Sequence, residues 1–506
     1  MNTFLNGMKN ETNYTLTENG ALTHKTTTSD LLDMFALGAS MRKRSDEDVL
    51  LMFQKAYREN PLYALKCLFY IRDVRGGQGE RRFFRVCMKW LANNESEVVI
   101  RNLKNVPEFG RWDDLYVFDG TAIEDEAYTL IKEQLALDVQ CKTPSLLAKW
   151  LKSENTSSAK SQYLGMKTRK HLNMTPRQYR KTLSILRKRI NVLERLMSAG
   201  EWDKIEFDKI PSRAGLIYKN AFARHDIERQ KAGARTYENF AKDETTTVNA
   251  KALYPYECVA KAINLVGYGG YGWYDHAIPM DNTDRLMINK YWANLADYFA
   301  GKTFNGMALV DTSGSMTGRE ASAPINVAIS IGMYCADKAK GPFANHFMTF
   351  ESTPHFMEVE GVDFCDKVRR ISSAPWGGST NVESAFDLML KTAIKNGCSQ
   401  DEIPENLIII SDMEFNSCVC CGSYGTVGNT LMEKIEKKWN AYGYKMPNLI
   451  FWNVNARQNN IPMTVKNGIS FVSGMSPTIF ETILSGKTGY DLMMEKLNSE
   501  RYACIK

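Results

Sequence analysis

One stretch constrains the fold more than any other: a short apolar run that ends in oxygen-bearing side chains. Residues 307–310 are Met-Ala-Leu-Val, and Asp311, Ser313 and Ser315 follow them. An apolar run of this length is typical of a strand buried on both faces of a parallel sheet. Parallel sheets place their ligand sites at the carboxyl ends of strands, so these polar side chains stand where a site is expected.

Two later segments have the same layout. Thr380 lies in a Gly-rich turn before a predicted helix, and Asp412 follows a second apolar run at 406–411. Alone, the pattern D-x-S-x-S is also ordinary turn chemistry. Because carboxylates and hydroxyls are hard oxygen donors, the three loops together predict a Mg²⁺ or Mn²⁺ site rather than a zinc site. The predicted metal ligands are Asp311, Ser313, Ser315, Thr380 and Asp412.

The order and spacing of the segments DTSGSM, GGSTN and ISDMEF resemble the metal-ion-dependent adhesion site of von Willebrand factor A domains. Around them, predicted strands alternate with predicted helices, which indicates a doubly wound α/β sheet. The metal site is expected along the carboxyl edge of that sheet.

The first half of the chain has a different pattern. From about residue 29, apolar residues recur at spacings of three and four, and the connectors are short. This pattern predicts successive antiparallel helices that stack as a HEAT-like helical-repeat solenoid. We therefore predict an N-terminal arm at 1–28, a helical-repeat domain at 29–285 and a von Willebrand factor A-like domain at 286–506.

Positive charge is concentrated in one part of the chain. The net charge is +6, but residues 145–235 contain 21 Lys and Arg against 8 Asp and Glu, a local net charge of +13. A local excess of this size is typical of a nucleic-acid-binding surface. The alternative is a solvated helical face that has no partner.

The basic segment includes a helix predicted to begin at Pro176, with an apolar stripe that contains Tyr179. Its other face is basic, and Glu194 is the only acid between residues 171 and 200. Tyr179 and Trp150 are candidate stacking partners for single-stranded bases. The predicted RNA contacts are Lys149, Lys167, Arg169, Lys170, His171, Arg177, Arg180, Arg187 and Lys188. All of them except Lys149 and His171 are expected on one exposed face.

A Gly-rich segment at 72–81, RDVRGGQGER, separates two predicted helices. Its glycines and arginines suit a phosphate cradle, but no buried strand precedes it and no Lys-Ser/Thr follows, so it is not a P-loop. We interpret it as a sharp helix-to-helix reversal.

Cysteine usage and apolar runs bear on the compartment. The eleven cysteines are scattered, which predicts free thiols in a reducing compartment. Cys418, Cys420 and Cys421 are close enough to hold a soft metal, but a zinc site needs a fourth ligand. No run reaches the ~20 apolar residues that span a bilayer, and the first residues lack the layout of a secretion signal. A cytoplasmic protein without a membrane partner is expected.

Motifs from most of the chain resemble one family. The motifs are NGALTHKTTTSDLLDMFALGASMR, RDVRGGQGERRFF, VPEFGRWDDL, LLAKWLKSENTSS, VDTSGSM and ISDMEF. They resemble Ro-autoantigen-like proteins, in which a helical TROVE domain precedes a von Willebrand factor A domain, and especially their uncharacterised relatives in plants, bacteria and phages. The resemblance implies RNA binding, and in the Ro branch the helices close into a ring. The family's metal ligands correspond to the five predicted here, whereas its RNA contacts carry over less cleanly because the helical parts align weakly.

The expected function is therefore non-catalytic RNA binding, in RNA quality control or as the scaffold of a ribonucleoprotein. The RNA would be a structured small RNA or a single-stranded end. The alternative is a metal-dependent protein-interaction module that captures a partner carboxylate. A hydrolase is disfavoured because no motif places a nucleophile beside a base.

Overall fold

The computed structural model describes residues 8, 12–266, 279–299, 301–350, 352–372, 379–417 and 430–506. The chain forms two compact units. The first, here called the α/β unit, comprises residues 1–67, 76–78 and 250–499, and the second, the helical unit, comprises 68–75, 79–249 and 500–506. The linear boundaries predicted after residues 28 and 285 are corrected by this division, because each unit is assembled from non-contiguous segments.

The α/β unit contains a six-stranded sheet. Its strands lie in the order β5-β4-β3-β6-β7-β8, and all neighbours are parallel except β4 and β5. Every residue of β3 is buried, as expected for a continuous apolar run in the middle of a parallel sheet. The strand bounds are β3 Gly306–Asp311, β4 His346–Phe350, β5 His355–Glu358, β6 Asn406–Ser411, β7 Asn448–Asn453 and β8 Ile469–Ser473.

The strand order places a crevice at one position. From β3 the chain first adds β4 and β5 on one side, and then returns to add β6, β7 and β8 on the other side. The carboxyl ends of β3 and β6 therefore lie side by side where the direction of winding reverses. Ligands of open α/β sheets bind at this topological switch point.

The helices of the α/β unit come from both ends of the chain. The helix Asp30–Leu37 is almost entirely buried and packs against β8 and β7, although the sequence assigned it to the helical-repeat domain. The other helices of this unit are Asp46–Glu59, Pro255–Val266, Thr283–Ala293, Pro324–Lys338, Phe364–Ser372, Val382–Asn396, Leu431–Ala441, Ile479–Ile483 and Gly489–Leu497.

Part of the predicted N-terminal arm is a β-hairpin. The strands β1 (Tyr14–Leu16) and β2 (Leu22–His24) pair antiparallel. The His24 N–H donates to the Ile461 carbonyl at 3.0 Å, and the Ile461 N–H donates to the His24 carbonyl at 3.0 Å. The hairpin is thus held to the α/β unit by backbone hydrogen bonds.

The helical unit is built from helices that pack on their neighbours in the chain, as expected for helical repeats. The chain enters it within the helix Pro61–Arg72. Its other helices are Arg82–Asn94, Ser96–Asn102, Asn105–Phe109, Glu124–Gln140, Leu147–Trp150, Ala159–His171, Pro176–Arg189, Leu193–Ser198, Ser212–Arg224, Asp226–Lys231 and Tyr237–Lys242.

Residues from opposite ends of the chain share the core of the helical unit. The Tyr502 ring stacks on Phe109 with their centroids 5.5 Å apart. The Tyr502 hydroxyl donates to Asp73 Oδ2 at 3.0 Å. Tyr502 is completely buried, so it completes this part of the core.

Cys67, Cys87, Cys141, Cys258, Cys335, Cys365, Cys398 and Cys504 are free thiols. The Cys418 to Cys421 segment lies outside the described residues, as does the predicted turn at 267–272. Within the described ranges, no helix has the length and apolar character needed to cross a membrane.

Candidate metal site and cationic surface

The loop after β3 brings three of the predicted ligands together. Asp311 is completely buried, and its Oδ1 accepts the Ser313 N–H at 2.9 Å. Its Oδ2 accepts the Ser411 hydroxyl at 2.5 Å. The Ser313 and Ser315 hydroxyl oxygens lie 3.1 Å apart. The turn thus presents one carboxylate and two hydroxyls.

The neighbouring strand β6 supplies the second carboxylate. Asp412 follows β6 directly and is buried, and its Oδ1 accepts the Glu414 N–H at 3.2 Å. The Ser315 hydroxyl interacts with the Asp412 carboxylate, so the loops after β3 and β6 meet. Asp412 Oδ2 accepts no hydrogen bond from any described residue. The Arg457 guanidinium faces this oxygen, with Nη1 3.8 Å from Asp412 Oδ2.

Thr380 lies at the same edge. It is buried, and its carbonyl accepts the Asn416 N–H at 2.9 Å, which ties it to the segment after Asp412. The following helix Val382–Asn396 is capped by Asn381, whose side chain accepts the Ser384 N–H at 3.1 Å. The glycines of the predicted turn before Thr380 lie outside the described residues.

Burial disfavours the charged forms of Asp311 and Asp412. Burial raises the pKa of Asp311, and the Asp412 carboxylate beside it raises that pKa further. Burial also raises the pKa of Asp412. A pair of buried acids whose charges repel, one with an oxygen that accepts no hydrogen bond within the described ranges, is the environment that a cation stabilises.

Sequence reasoning missed the turn between β1 and β2 as part of this site. The Glu18 N–H donates to Glu414 Oε2 at 2.7 Å, and the Asn19 side chain donates to the Glu414 carbonyl at 2.5 Å. Asn19 Nδ2 also lies 3.5 Å from Thr380 Oγ1. The Glu18 carboxylate pairs with Arg457, which also faces Asp412. About 400 residues separate the two sides, so no local signal predicts the contact.

Glu414 is the second residue that the sequence did not single out. Burial raises the pKa of its carboxyl to about 7. Its Oε1 accepts the Asn460 side chain at 2.8 Å, so Glu414 joins the N-terminal turn to the loop after β7. Its position two residues after Asp412 is the only signal that sequence reading offers.

The predicted single face of RNA-binding cations is corrected by the structure. Three of the nine residues are partly buried and bonded elsewhere. Lys167 Nζ lies 2.6 Å from carboxylate oxygens of both Asp119 and Glu124. Arg169 Nε donates to Glu154 at 2.6 Å. The partners come from other segments, so the acid-poor local sequence did not reveal them.

Arg187 is the third predicted cation that is partly buried and bonded elsewhere. Its Nε donates to the Ala148 carbonyl at 2.8 Å, its Nη2 to the Leu151 carbonyl at 2.9 Å and its Nη1 to Ser153 Oγ at 3.1 Å. This guanidinium therefore holds the chain at 148–153 in place. It does not lie on the exposed face of its helix.

His171 and Lys149 are also separate from that face. His171 stacks on Tyr128 with centroids 4.1 Å apart and lies 3.7 Å from a Glu124 oxygen. Lys149 is half-buried, and its Nζ lies 5.6 Å from the centre of the Trp150 ring. Acidic neighbours around His171 make that position less favourable for a phosphate.

The remaining predicted cations are exposed. Arg177, Arg180 and Lys188 lie on the helix Pro176–Arg189, and Lys170 lies in the last turn of the preceding helix Ala159–His171. Tyr179 of the same helix is completely buried, and its hydroxyl donates to the Lys152 carbonyl at 2.8 Å. The interpretation of Tyr179 as a base-stacking residue is therefore wrong.

Family models match both parts of the chain. A domain of unknown function, DUF2828, matches residues 17–162 and 137–299, and a second domain of unknown function, DUF7788, matches residues 305–503. The uncharacterized protein L728 of Acanthamoeba polyphaga mimivirus is 30% identical over 514 residues, which cover 94% of this chain and 85% of the relative.

Among solved structures, the Ro (RSR) protein of Deinococcus radiodurans aligns with 91% of this chain and 100% of its own, at 14% identity and a TM-score of 0.35. The match to the DUF2828 model covers more than half of the chain, and the viral relative matches nearly all of it. This chain belongs to the DUF2828 family.

Proposed function

We propose that this protein is a non-catalytic RNA-binding protein and that it contacts RNA through one face of the helix Pro176–Arg189. The observation that carries the proposal is a row of exposed cations, here called the cationic stripe. No residue of the stripe forms an ion pair with a described carboxylate. The cationic stripe consists of Arg177, Arg180, Lys181 and Lys188.

The spacing supports a common direction for these side chains. Arg177, Lys181 and Lys188 are separated by four and seven residues, so they lie on one side of an α-helix. An isolated cation on a surface is ordinary, but several unpaired cations in a row attract the regularly spaced phosphates of a nucleic acid. Such contacts position a backbone without reading bases. A structured small RNA or a single-stranded end fits this mode, as does a role in RNA quality control or as a scaffold.

The test is a filter-binding titration of single-stranded RNA at several salt concentrations. The triple variant Arg177→Gln, Arg180→Gln, Lys188→Gln should bind every RNA sequence more weakly. The slope of log K against log salt should fall by roughly 2, because each lost phosphate contact accounts for ~0.7.

The control removes three exposed lysines of the helical unit outside the stripe: Lys132, Lys204 and Lys209. Lys204 pairs with Glu201, and Lys209 pairs with Glu206. This variant has the same change in net charge and should bind RNA with the wild-type slope. Equal losses in both triple variants would mean that general charge, and not the stripe, causes binding.

We also propose that Asp311, Ser313, Ser315, Thr380 and Asp412 hold Mg²⁺ or Mn²⁺. Their donor atoms are carboxylate and hydroxyl oxygens, which suit a hard cation, and Asp412 Oδ2 has no hydrogen bond within the described ranges. A bound cation would offset the repulsion between the two buried carboxylates.

The alternative function is capture of a partner's carboxylate by the metal. The turn at Glu18 and Asn19 argues against it. That turn bonds Glu414 and brings the chain's own Glu18 carboxylate to Arg457 beside Asp412. A partner carboxylate would compete with one that is already tethered there.

A further inference from the structure

The helical unit contains a second group of cations, which the proposed function does not use. Four guanidinium groups surround the two adjacent carboxylates Asp113 and Asp114. We call them the arginine cluster, and its members are Arg72, Arg81, Arg85 and Arg111.

Two arginines of the cluster fix Asp114. Arg72 is buried, and its Nε and Nη2 donate to Asp114 Oδ2 at 2.9 and 2.6 Å. Arg85 Nε donates to Asp114 Oδ1 at 2.7 Å, and its Nη2 donates to the Asp113 carbonyl at 3.2 Å. With both oxygens occupied, Asp114 has little capacity to balance further positive charge.

Arg111 is held by Asp113 and an aromatic ring. Its Nε and Nη2 donate to the two Asp113 oxygens at 2.9 Å each. Its guanidinium carbon lies 4.0 Å from the centre of the Trp150 ring. These contacts fix the plane of the guanidinium group before any ligand arrives, which reduces the entropy lost on binding.

The cluster has more positive than negative charge. The Arg81 Nη1 lies 3.9 Å from Asp113 Oδ2, which is too far for a hydrogen bond, and the Arg81 side chain is 46% exposed. Burial lowers the pKa of Arg81, and repulsion by Arg111 and Arg85 lowers it further. Four guanidinium groups contact the two carboxylates of Asp113 and Asp114, and Lys152 acts on Asp113 from nearby.

Donor atoms of the cluster are also left over. Arg85 and Arg111 each use Nε and Nη2, and neither Nη1 donates to a group in the described part of the chain. Both groups are only partly buried, so these N–H groups can reach a ligand from solvent.

The helix that carries Arg85 and follows Arg81 begins beside the cluster, and its first turn already has a carboxylate partner. The helix Arg82–Asn94 has 13 residues and no acidic residue in its first turn, and the side chain of its N-cap residue Arg81 makes no capping hydrogen bond. The Glu80 carboxylate accepts the Arg82 N–H at 2.8 Å. Glu80 therefore already offsets the helix dipole, and the capacity of the cluster for a phosphate depends on its unused guanidinium donors.

We infer that Arg81, Arg85 and Arg111 form a phosphate-binding site, distinct in its residues from the cationic stripe. Planar guanidinium groups donate two parallel hydrogen bonds to phosphate oxygens, which suits the unused donors of this cluster. The phosphate comes either from RNA, in which case the inference rests on the proposed function, or from a small phosphorylated molecule.

Isothermal titration calorimetry with inorganic phosphate, at constant ionic strength in chloride, tests the site. Arg81→Gln should weaken phosphate affinity about tenfold, because it removes a charge-assisted hydrogen bond. Arg81→Lys keeps the charge but not the planar group and should be intermediate. Arg75→Gln is the matched control, since Arg75 is exposed and pairs with Glu108, and it should bind as wild type does.

Wild-type affinity of Arg81→Gln, or no phosphate binding by the wild-type protein, would overturn the inference. Filter binding of RNA to Arg81→Gln identifies the source of the phosphate. Weaker RNA binding indicates an RNA phosphate, and unchanged RNA binding indicates a small molecule. The stripe variant should bind inorganic phosphate normally, so a failure of the proposed function would be seen separately.

Discussion

Asp311 and Asp412 show what single residues contribute to this fold. Both lie at the carboxyl ends of neighbouring strands, where burial is nearly complete. The sequence predicted that both residues stand at strand ends, because each follows an apolar run. It did not predict Glu414 or Glu18, whose relevance depends on contacts between distant segments.

A melting experiment tests the metal proposal at Asp311. Wild type should melt several degrees higher in millimolar Mg²⁺ than in chelator, since a ligand at ~100 times its Kd adds about 2.7 kcal/mol to the free energy of unfolding. Asp311→Asn should lose that shift. In chelator the variant should be at least as stable as wild type, because the substitution relieves the repulsion with Asp412.

The control for Asp311→Asn is Asp33→Asn, which neutralises another buried carboxylate of the α/β unit. Asp33→Asn should keep the full Mg²⁺ shift. If Asp311→Asn shows that same shift in differential scanning fluorimetry, the metal binds elsewhere.

Asp33 itself should make stability depend on pH. Burial raises the pKa of its carboxyl from 3.8 to about 6, and hydrogen bonds from Thr26 and Thr27 only partly oppose this. The folded state therefore binds the proton more tightly than the unfolded state. Protonated Asp33 therefore adds to the free energy of unfolding. This addition totals roughly 3 kcal/mol, is fully present below about pH 4 and is lost as the pH rises through about 6.

Urea unfolding of wild type and Asp33→Asn between pH 4 and pH 7 isolates this contribution. Other groups titrate in both proteins, so the difference between the two is informative. Relative to the variant, wild type should lose stability as the pH rises. A constant difference across this range would show that Asp33 has an ordinary pKa in the folded protein.

Among the elements, the helix Pro176–Arg189 shows which features follow from sequence. Its start at Pro176 was predicted because the signal for a helix start is local. In the structure the Thr175 side chain caps the helix by accepting the Gln178 N–H at 3.3 Å, a contact over three residues. Its buried residues were predicted from the helical period. The partner of Arg187 was not, because the three groups that it binds lie 34 to 39 residues earlier.

Arg187 and Arg180 of this helix should therefore respond differently to substitution. Arg187→Gln should lower the free energy of unfolding by about 1–3 kcal/mol, since it leaves carbonyl oxygens at Ala148 and Leu151 without their donor. Arg180 is exposed, and Arg180→Gln should change the free energy of unfolding by no more than ~0.5 kcal/mol. Urea unfolding of both variants measures the difference. Equal effects would mean that the chain at 148–153 does not depend on Arg187.

For the whole molecule, the sequence predicted the two kinds of architecture but not how the chain is divided between them. Strand β3 contains the apolar run at 307–310 with one more residue at each end, and β6 has the same bounds as the apolar run at 406–411. Periodicity reports which face of an element is buried, but not which unit buries it. The helix Asp30–Leu37 therefore looked like the first of the helical repeats, whereas it packs on β7 and β8.

The position of Tyr502 has a consequence for biosynthesis. The helical unit receives this aromatic residue only after the ribosome has made all of residues 250–499 of the α/β unit. At about 5–20 residues per second, that interval lasts roughly 10 to 50 s. During it, the apolar surface beside Phe109 lacks its cover and is accessible to chaperones. Domains of most proteins finish folding one after the other as they emerge, whereas the helical unit can be completed only after the α/β unit has been translated.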